Sequence, residues 1–91
     1  MIIARRLTVF GRVQGVGFRW FVIERATAEG VTGWVRNLPD GRVEIVAEGE
    51  AEAFERFERA VRNGPPRSRV DDVTTDILAP TGRFPTFSAR H

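Results

Sequence analysis

Several residue types that carry enzyme chemistry are missing or scarce in this chain of 91 residues. It has no cysteine, which excludes disulfides, thiolate catalysis and cysteine-based zinc sites. Its single histidine, His91, is the last residue, and Asp, Glu and His do not cluster at the spacing of metal ligands. The usual means of hydrolysing a stable phosphate ester are therefore absent, and we expect neither a metal ion nor a cofactor.

Long apolar runs are also missing. The apolar residues 1–4 are followed by Arg5 and Arg6. This run is too short for a signal peptide and far shorter than the about 20 residues of a membrane helix. We therefore expect a cytoplasmic protein that has no membrane partner. We also expect it to be a monomer.

Lysine is absent too, so all 14 basic residues are arginine. The 12 acidic residues leave a net charge of only +2, although the isoelectric point is about 10.9. Arginine keeps its proton to very high pH, so this isoelectric point does not require the strong positive field of a nucleic-acid-binding protein. No nucleic-acid partner is expected.

The length and the 42% hydrophobic content predict one small domain, residues 1–91, with a single core. Alternating apolar residues predict strands over 4–13, 31–36, 42–48, 70–78 and 86–90. Apolar residues at helical spacing predict helices over 18–29 and 50–62, the first of them ending at Gly30. This βαββαβ order with a short C-terminal strand is typical of an α+β, ferredoxin-like α/β sandwich, an antiparallel sheet with both helices on one face.

Three Glu–Arg pairs at i,i+4 spacing support the second helix. They are Glu52/Arg56, Glu55/Arg59 and Glu58/Arg62.

A glycine-rich segment, GRVQGVGFR from Gly11 to Arg19, joins the first strand to the first helix. Gly15 and Gly17 can adopt positive φ and leave their N–H groups free, so the loop can surround an anion at the helix N-terminus. The guanidinium of Arg19 can bind two oxygens of a phosphate at once. Glycines alone would indicate only a turn, and an isolated arginine only a solvated side chain.

Any phosphoryl hydrolysis by such a loop must suit a reactive substrate. A mixed carboxylic–phosphoric anhydride fits, because its carboxylate leaving group has a pKa of about 4 and needs no general acid. Asn37, at the end of the second strand, can orient a water molecule without being titratable. Its position before Leu38-Pro39-Asp40-Gly41 is equally typical of a turn residue.

The segments GRVQGVGFR and GWVRNLPDGRVE together resemble the acylphosphatase family, and the resemblance extends over essentially the whole chain. It implies metal-free hydrolysis of a small acyl phosphate, with Arg19 binding the phosphate and Asn37 orienting the water. The phosphate loop that it implies comprises Gln14, Gly15, Val16, Gly17, Phe18 and Arg19.

Two alternatives belong to other functional classes. A ferredoxin-like module that reads RNA would carry aromatic residues on its central strands, and the predicted strand 42–48 has none. An accessory domain could handle carbamoyl phosphate for a larger assembly, although the length of the chain favours a protein that acts alone.

Overall fold

Five strands and two helices make up the fold of residues 1–91, all of which the computed structural model describes. Their bounds are Ile2–Arg12 (β1), Phe18–Glu29 (α1), Thr32–Asn37 (β2), Val43–Glu50 (β3), Ala51–Asn63 (α2), Arg69–Leu78 (β4) and Phe87–Arg90 (β5). Every predicted element is present, with ends within one or two residues of the expected ones. Neither helix is long and apolar enough to cross a membrane.

The strands form one sheet in the order β4-β1-β3-β2-β5. The four strands β1 to β4 pair in the antiparallel manner that the sequence predicts. The prediction of a wholly antiparallel sheet is wrong for β5, which pairs parallel to β2 with Gly33 opposite Phe87. Residues 79–86 connect β4, at one edge of the sheet, to β5, at the other edge, and bring the start of β5 beside the start of β2. As a result β5 runs in the same direction as β2, and the sheet is mixed.

Both helices lie on one face of the sheet and bury a single core, which confirms the ferredoxin-like prediction. Every second residue of the central strands belongs to this core, as in a sheet with one face covered by helices. These residues are Leu7 and Val9 in β1 and Val43, Ile45 and Ala47 in β3. Burial of each large apolar side chain contributes about 1.5–3 kcal/mol. The largest fully buried residues include Leu7, Val9, Val22, Val35, Ile45, Phe54 and Phe57.

The sheet order brings the ends of β1 and β2 together. Both strands run antiparallel to β3, which lies between them, so they are parallel to each other. Val9 and Asn37 are both opposite Val43, the first residue of β3. The loop after β1 and the turn after β2 therefore lie at the same end of the sheet.

The charged face of α2 differs from the prediction at one pair. Arg59 lies 3.4 Å from Glu55 and Arg62 lies 3.0 Å from Glu58, as the spacing predicts. The predicted pair between Glu52 and Arg56 does not form. Arg56 instead donates to Glu29 of α1 at 2.9 Å, because the end of α1 lies beside α2 and brings a carboxylate closer.

Candidate active site

The loop between β1 and α1 depends on glycine for its backbone shape. Gly15 and Gly17 have φ values of 73° and 76°, in the left-handed region that strains residues with a Cβ atom. A Cβ atom added at either position would meet nothing within 4 Å. The backbone angle, and not lack of space, therefore requires glycine here.

The same loop presents a series of unpaired backbone donors. None of the N–H groups from Gly15 to Trp20 donates a hydrogen bond within the protein; the first bond of α1 runs from Phe21 N–H to Gly17 C=O at 3.0 Å. Gly17, at the N-cap, has no capping side chain, and the first turn of α1 carries no acidic residue. The positive end of the helix dipole is thus neither capped nor neutralised, an arrangement that favours an anion.

Arg19 adds a full positive charge at this helix end. It is half-buried and forms no ion pair with any carboxylate of the protein. A cation at a helix N-terminus is unfavourable by about 0.3–1 kcal/mol, so helix stability does not explain its presence. Its guanidinium is available to an anion held by the neighbouring amides.

Asn37, the last residue of β2, lines the same cleft of about 210 Å³ as Arg19. The Asn37 Oδ1 atom is buried and accepts no hydrogen bond from the protein. A buried acceptor without a partner costs about 1–3 kcal/mol, so a water or ligand that donates to Oδ1 is favoured. The remaining lining residues are Val13, Gly15, Gly17, Phe18 and Trp20.

The turn after β2 is held by residues other than the Asn37 side chain. Gly41 N–H donates to Leu38 C=O at 3.2 Å, and the Asp40 carboxylate accepts from Arg42 N–H at 3.2 Å and from Arg42 Nε at 2.7 Å. The hydrogen bond from the Arg42 N–H is the main cause that lowers the pKa of Asp40 below its ordinary value. These contacts do not support the alternative interpretation, in which Asn37 serves only to build the turn.

Gln14 contributes differently from what its place in the loop suggests. Its side-chain Nε2 donates to Leu38 C=O at 2.8 Å and to Arg42 C=O at 3.0 Å, so both amide hydrogens are committed to the turn after β2. Of its donors, only the backbone N–H remains for an anion. The sequence contains no indication of this brace, because the partners are 24 and 28 positions away in the chain.

Val16 and Phe18, the other two predicted loop residues, anchor the loop through their side chains. Phe18 is buried, with its ring centroid 6.3 Å from that of Phe21, and Val16 packs partly buried against the core. Their backbone N–H groups belong to the unpaired series described above. The structure thus brings all predicted site residues to one end of the sheet.

A larger depression elsewhere on the surface lacks comparable chemistry. One groove of about 500 Å³ lies between β1 and α2. Four of its charged side chains form the pairs Glu55–Arg59 and Glu58–Arg62 and so neutralise one another. No group of three or more His, Asp or Glu side chains converges anywhere in the protein.

Comparison with known proteins gives concordant matches. A family model described as Acylphosphatase matches residues 5–89. An acylphosphatase of Methylococcus capsulatus is 50% identical over 80 residues, which cover 88% of this chain and 87% of that protein. The crystal structure of acylphosphatase from Bacillus subtilis has a TM-score of 0.94 at 44% identity, with full coverage of both chains. The structure of T. kodakarensis HypF has a TM-score of 0.85 at 36% identity, but the match covers only 12% of that chain.

Proposed function

Because this chain belongs to the acylphosphatase family and is an acyl phosphate hydrolase, we propose that it works through Arg19 and Asn37, without a metal ion or cofactor. The observation that carries this proposal is the pairing of one buried, unpartnered acceptor, Asn37 Oδ1, with a cluster of free donors in the same cleft. An acceptor suits a water molecule, and donors suit a phosphoryl group.

The phosphoryl group is bound by the loop amides and by Arg19. The unpaired N–H groups from Gly15 to Trp20 surround its oxygens, and the Arg19 guanidinium binds two of them. These donors also stabilise the negative charge that spreads over the oxygens in the transition state. Gln14, Val16, Gly17 and Phe18 act in binding through the backbone.

The attacking water donates a hydrogen bond to Asn37 Oδ1. The bond keeps the water's oxygen directed at phosphorus, opposite the leaving carboxylate. A bond then forms between the water oxygen and phosphorus, and the bond between phosphorus and the carboxylate oxygen breaks. The carboxylate leaves as a stable anion, and the proton of the water passes to the phosphate product or the solvent.

The side chains around the cleft support a mechanism that needs no metal ion. No cluster of carboxylates or histidines could hold a divalent cation near the cleft. The Arg19 guanidinium and the unpaired N–H groups of the loop supply positive charge around the phosphoryl group, where a metal ion would otherwise act.

Phosphate release from acetyl phosphate and benzoyl phosphate tests the proposal, with p-nitrophenyl phosphate as the negative control. We expect turnover of both acyl phosphates, little or none of the phosphomonoester, and no change after exhaustive treatment with EDTA. Loss of turnover in EDTA that added magnesium restores would contradict the metal-free mechanism. Hydrolysis of the phosphomonoester at a similar rate would contradict the dependence on a good leaving group.

We also propose that residues 1–91 act as a single, monomeric, cytoplasmic domain without a nucleic-acid partner. The open face of the sheet supports the last point. The guanidinium groups of Arg36 and Arg90 lie over the Trp34 ring, with their Cζ atoms 5.3 Å and 4.9 Å from the ring centroid. Arg36 also donates a hydrogen bond to Glu44. Base stacking on Trp34 would have to displace these side chains. Salt-dependent RNA binding would overturn this part of the proposal.

A further inference from the structure

Trp20 is a large apolar side chain that the fold does not use. It is the third residue of α1, and 71% of its surface is exposed. No aromatic ring of the protein pairs with its indole, and no guanidinium lies over it. The other two aromatic residues at the start of α1 do contribute to packing. Phe18 is buried in the core, and Phe21 is partly buried and packs against the core. Core packing therefore does not explain Trp20.

Trp20 nevertheless lines the cleft that contains Arg19 and Asn37. The cleft measures about 210 Å³, smaller than the roughly 300–1,000 Å³ of sites that enclose a whole small molecule. Under the proposed function this cleft holds both the phosphoryl group, beside Arg19, and the attacking water, beside Asn37. The acyl group must then extend across the rim.

Among the residues that line the cleft, Trp20 is the only one that exposes a large apolar side chain. Val13 and Phe18, the other apolar residues there, are 1% and 2% exposed. A flat aromatic or other bulky apolar acyl group that leaves the cleft can cover the indole and remove apolar surface of both partners from water. An acetyl group is too small to do the same.

We propose that Trp20 forms the acyl-group subsite and makes the enzyme prefer acyl phosphates with an aromatic or bulky apolar acyl group. The inference rests on the proposed function, because the phosphoryl group must occupy the cleft beside Arg19. Stacking on one aromatic side chain changes binding by roughly 2- to 10-fold. The preference is measured as the ratio of kcat/KM for benzoyl phosphate to kcat/KM for acetyl phosphate. Trp20 should raise this ratio by a factor of this size.

The test measures kcat/KM with both substrates for the wild type, Trp20→Ala, Trp20→Phe and the control Trp34→Ala. We expect Trp20→Ala to lower the benzoyl-to-acetyl ratio by roughly 2- to 10-fold, Trp20→Phe to keep most of it, and Trp34→Ala to leave it unchanged. Equal loss with both substrates would show that Trp20 only supports the loop and would overturn the proposal, as would an unchanged ratio. If the wild type hydrolyses neither substrate, the proposed function itself fails.

A spectroscopic measurement gives a second readout that does not need turnover. The chain has two tryptophans, so Trp34→Phe leaves Trp20 as the only one. Benzoylphosphonate, which cannot be hydrolysed in the same way, should change the emission of this variant more than methylphosphonate does. Equal changes with the two phosphonates at saturation would place the acyl group away from Trp20 and contradict the subsite.

Discussion

The side-chain amide of Gln14 donates to the carbonyl oxygen of Leu38 at 2.8 Å, which ties the phosphate loop to the turn after β2. The same nitrogen lies 3.0 Å from the carbonyl oxygen of Arg42 at the other end of that turn. Arg19 follows the loop, and Asn37 directly precedes the turn. One side chain therefore braces the two halves of the proposed site, which the sheet order brings to the same end, against each other.

Replacement of Gln14 should misplace the two halves relative to each other. In Gln14→Glu a carboxylate of the same size would face two carbonyl oxygens, so both hydrogen bonds are lost and the oxygens repel. A displacement of about 1 Å can cost up to about 10²-fold in rate, and we expect kcat to fall by about 10-fold or more. Steady-state kinetics and a thermal melt of the variant check this. Near-normal kcat in a folded Gln14→Glu protein would show that the brace does not position the site.

Substitution of Arg19 should distinguish its guanidinium geometry from its charge. Removal of one donor to a developing oxyanion typically costs about 10²- to 10³-fold, so Arg19→Ala should lose about that much kcat/KM and also bind inorganic phosphate more weakly. Arg19→Lys should not recover the loss, because an ammonium group cannot form two parallel hydrogen bonds. The matched control is Arg25→Lys, on the same helix but paired with Glu29 at 3.9 Å. If Arg19→Lys retained wild-type turnover and phosphate inhibition, the bidentate role would be wrong.

Asn37→Ala should separate binding from turnover. A residue that only orients the attacking water contributes to the transition state and little to phosphate binding. We expect kcat to fall by about 10²-fold or more while phosphate affinity stays within a few-fold of normal. Calorimetry with inorganic phosphate and turnover of one acyl phosphate measure the two quantities, with the exposed Asn63→Ala as the control.

The opposite pattern would assign Asn37 another role. A proportional loss of phosphate affinity and turnover would make Asn37 a phosphate ligand. A large fall in the melting temperature would make it a residue that supports the turn. In either case the proposed orientation of water by Oδ1 would have to be abandoned.

Glu48 should stabilise the connection from β4 to β5. Its buried carboxylate accepts from the Thr81 N–H at 2.9 Å, the Thr81 hydroxyl at 2.8 Å and the Gly82 N–H at 3.0 Å. Hydrogen bonds to a charged group contribute about 1.5–3 kcal/mol, so Glu48→Gln should lower the free energy of unfolding by about 2 kcal/mol. That corresponds to roughly 10 °C in Tm for a domain of this size. The exposed Glu50→Gln, which loses only a surface pair with the N-terminus, should change it much less.

The contribution of Glu48 should also depend on pH in a defined direction. Burial raises the pKa of Glu48, but the hydrogen bonds from Gly82 and Thr81 outweigh burial and hold it below its ordinary value. The stabilisation is then fully present above the unfolded pKa of about 4.3 and is lost as pH falls through the lower folded pKa. Urea unfolding of the wild type and Glu48→Gln between pH 7 and pH 3 checks this. A difference between the two proteins that grows on acidification would contradict it.

Local features of the chain were enough to predict most of the architecture. Alternating and helical apolar periods depend only on neighbouring residues, so they located each strand and helix to within two residues. The positive φ of Gly15 and Gly17 is likewise a local requirement that glycine reveals. The sequence also placed Arg19 at a helix start and Asn37 at a strand end, where the structure has them.

Only the tertiary structure decided the contacts between residues distant in the chain. It set the direction of β5, the partner of Arg56, the brace from Gln14 and the anchoring of residues 81 and 82 by Glu48, which is 33 positions away from Thr81. The reason is that periodicity determines which face a side chain occupies, but not which strand or loop lies beside it. That neighbour depends on the order of strands in the sheet, which is the result of burying all the apolar faces together.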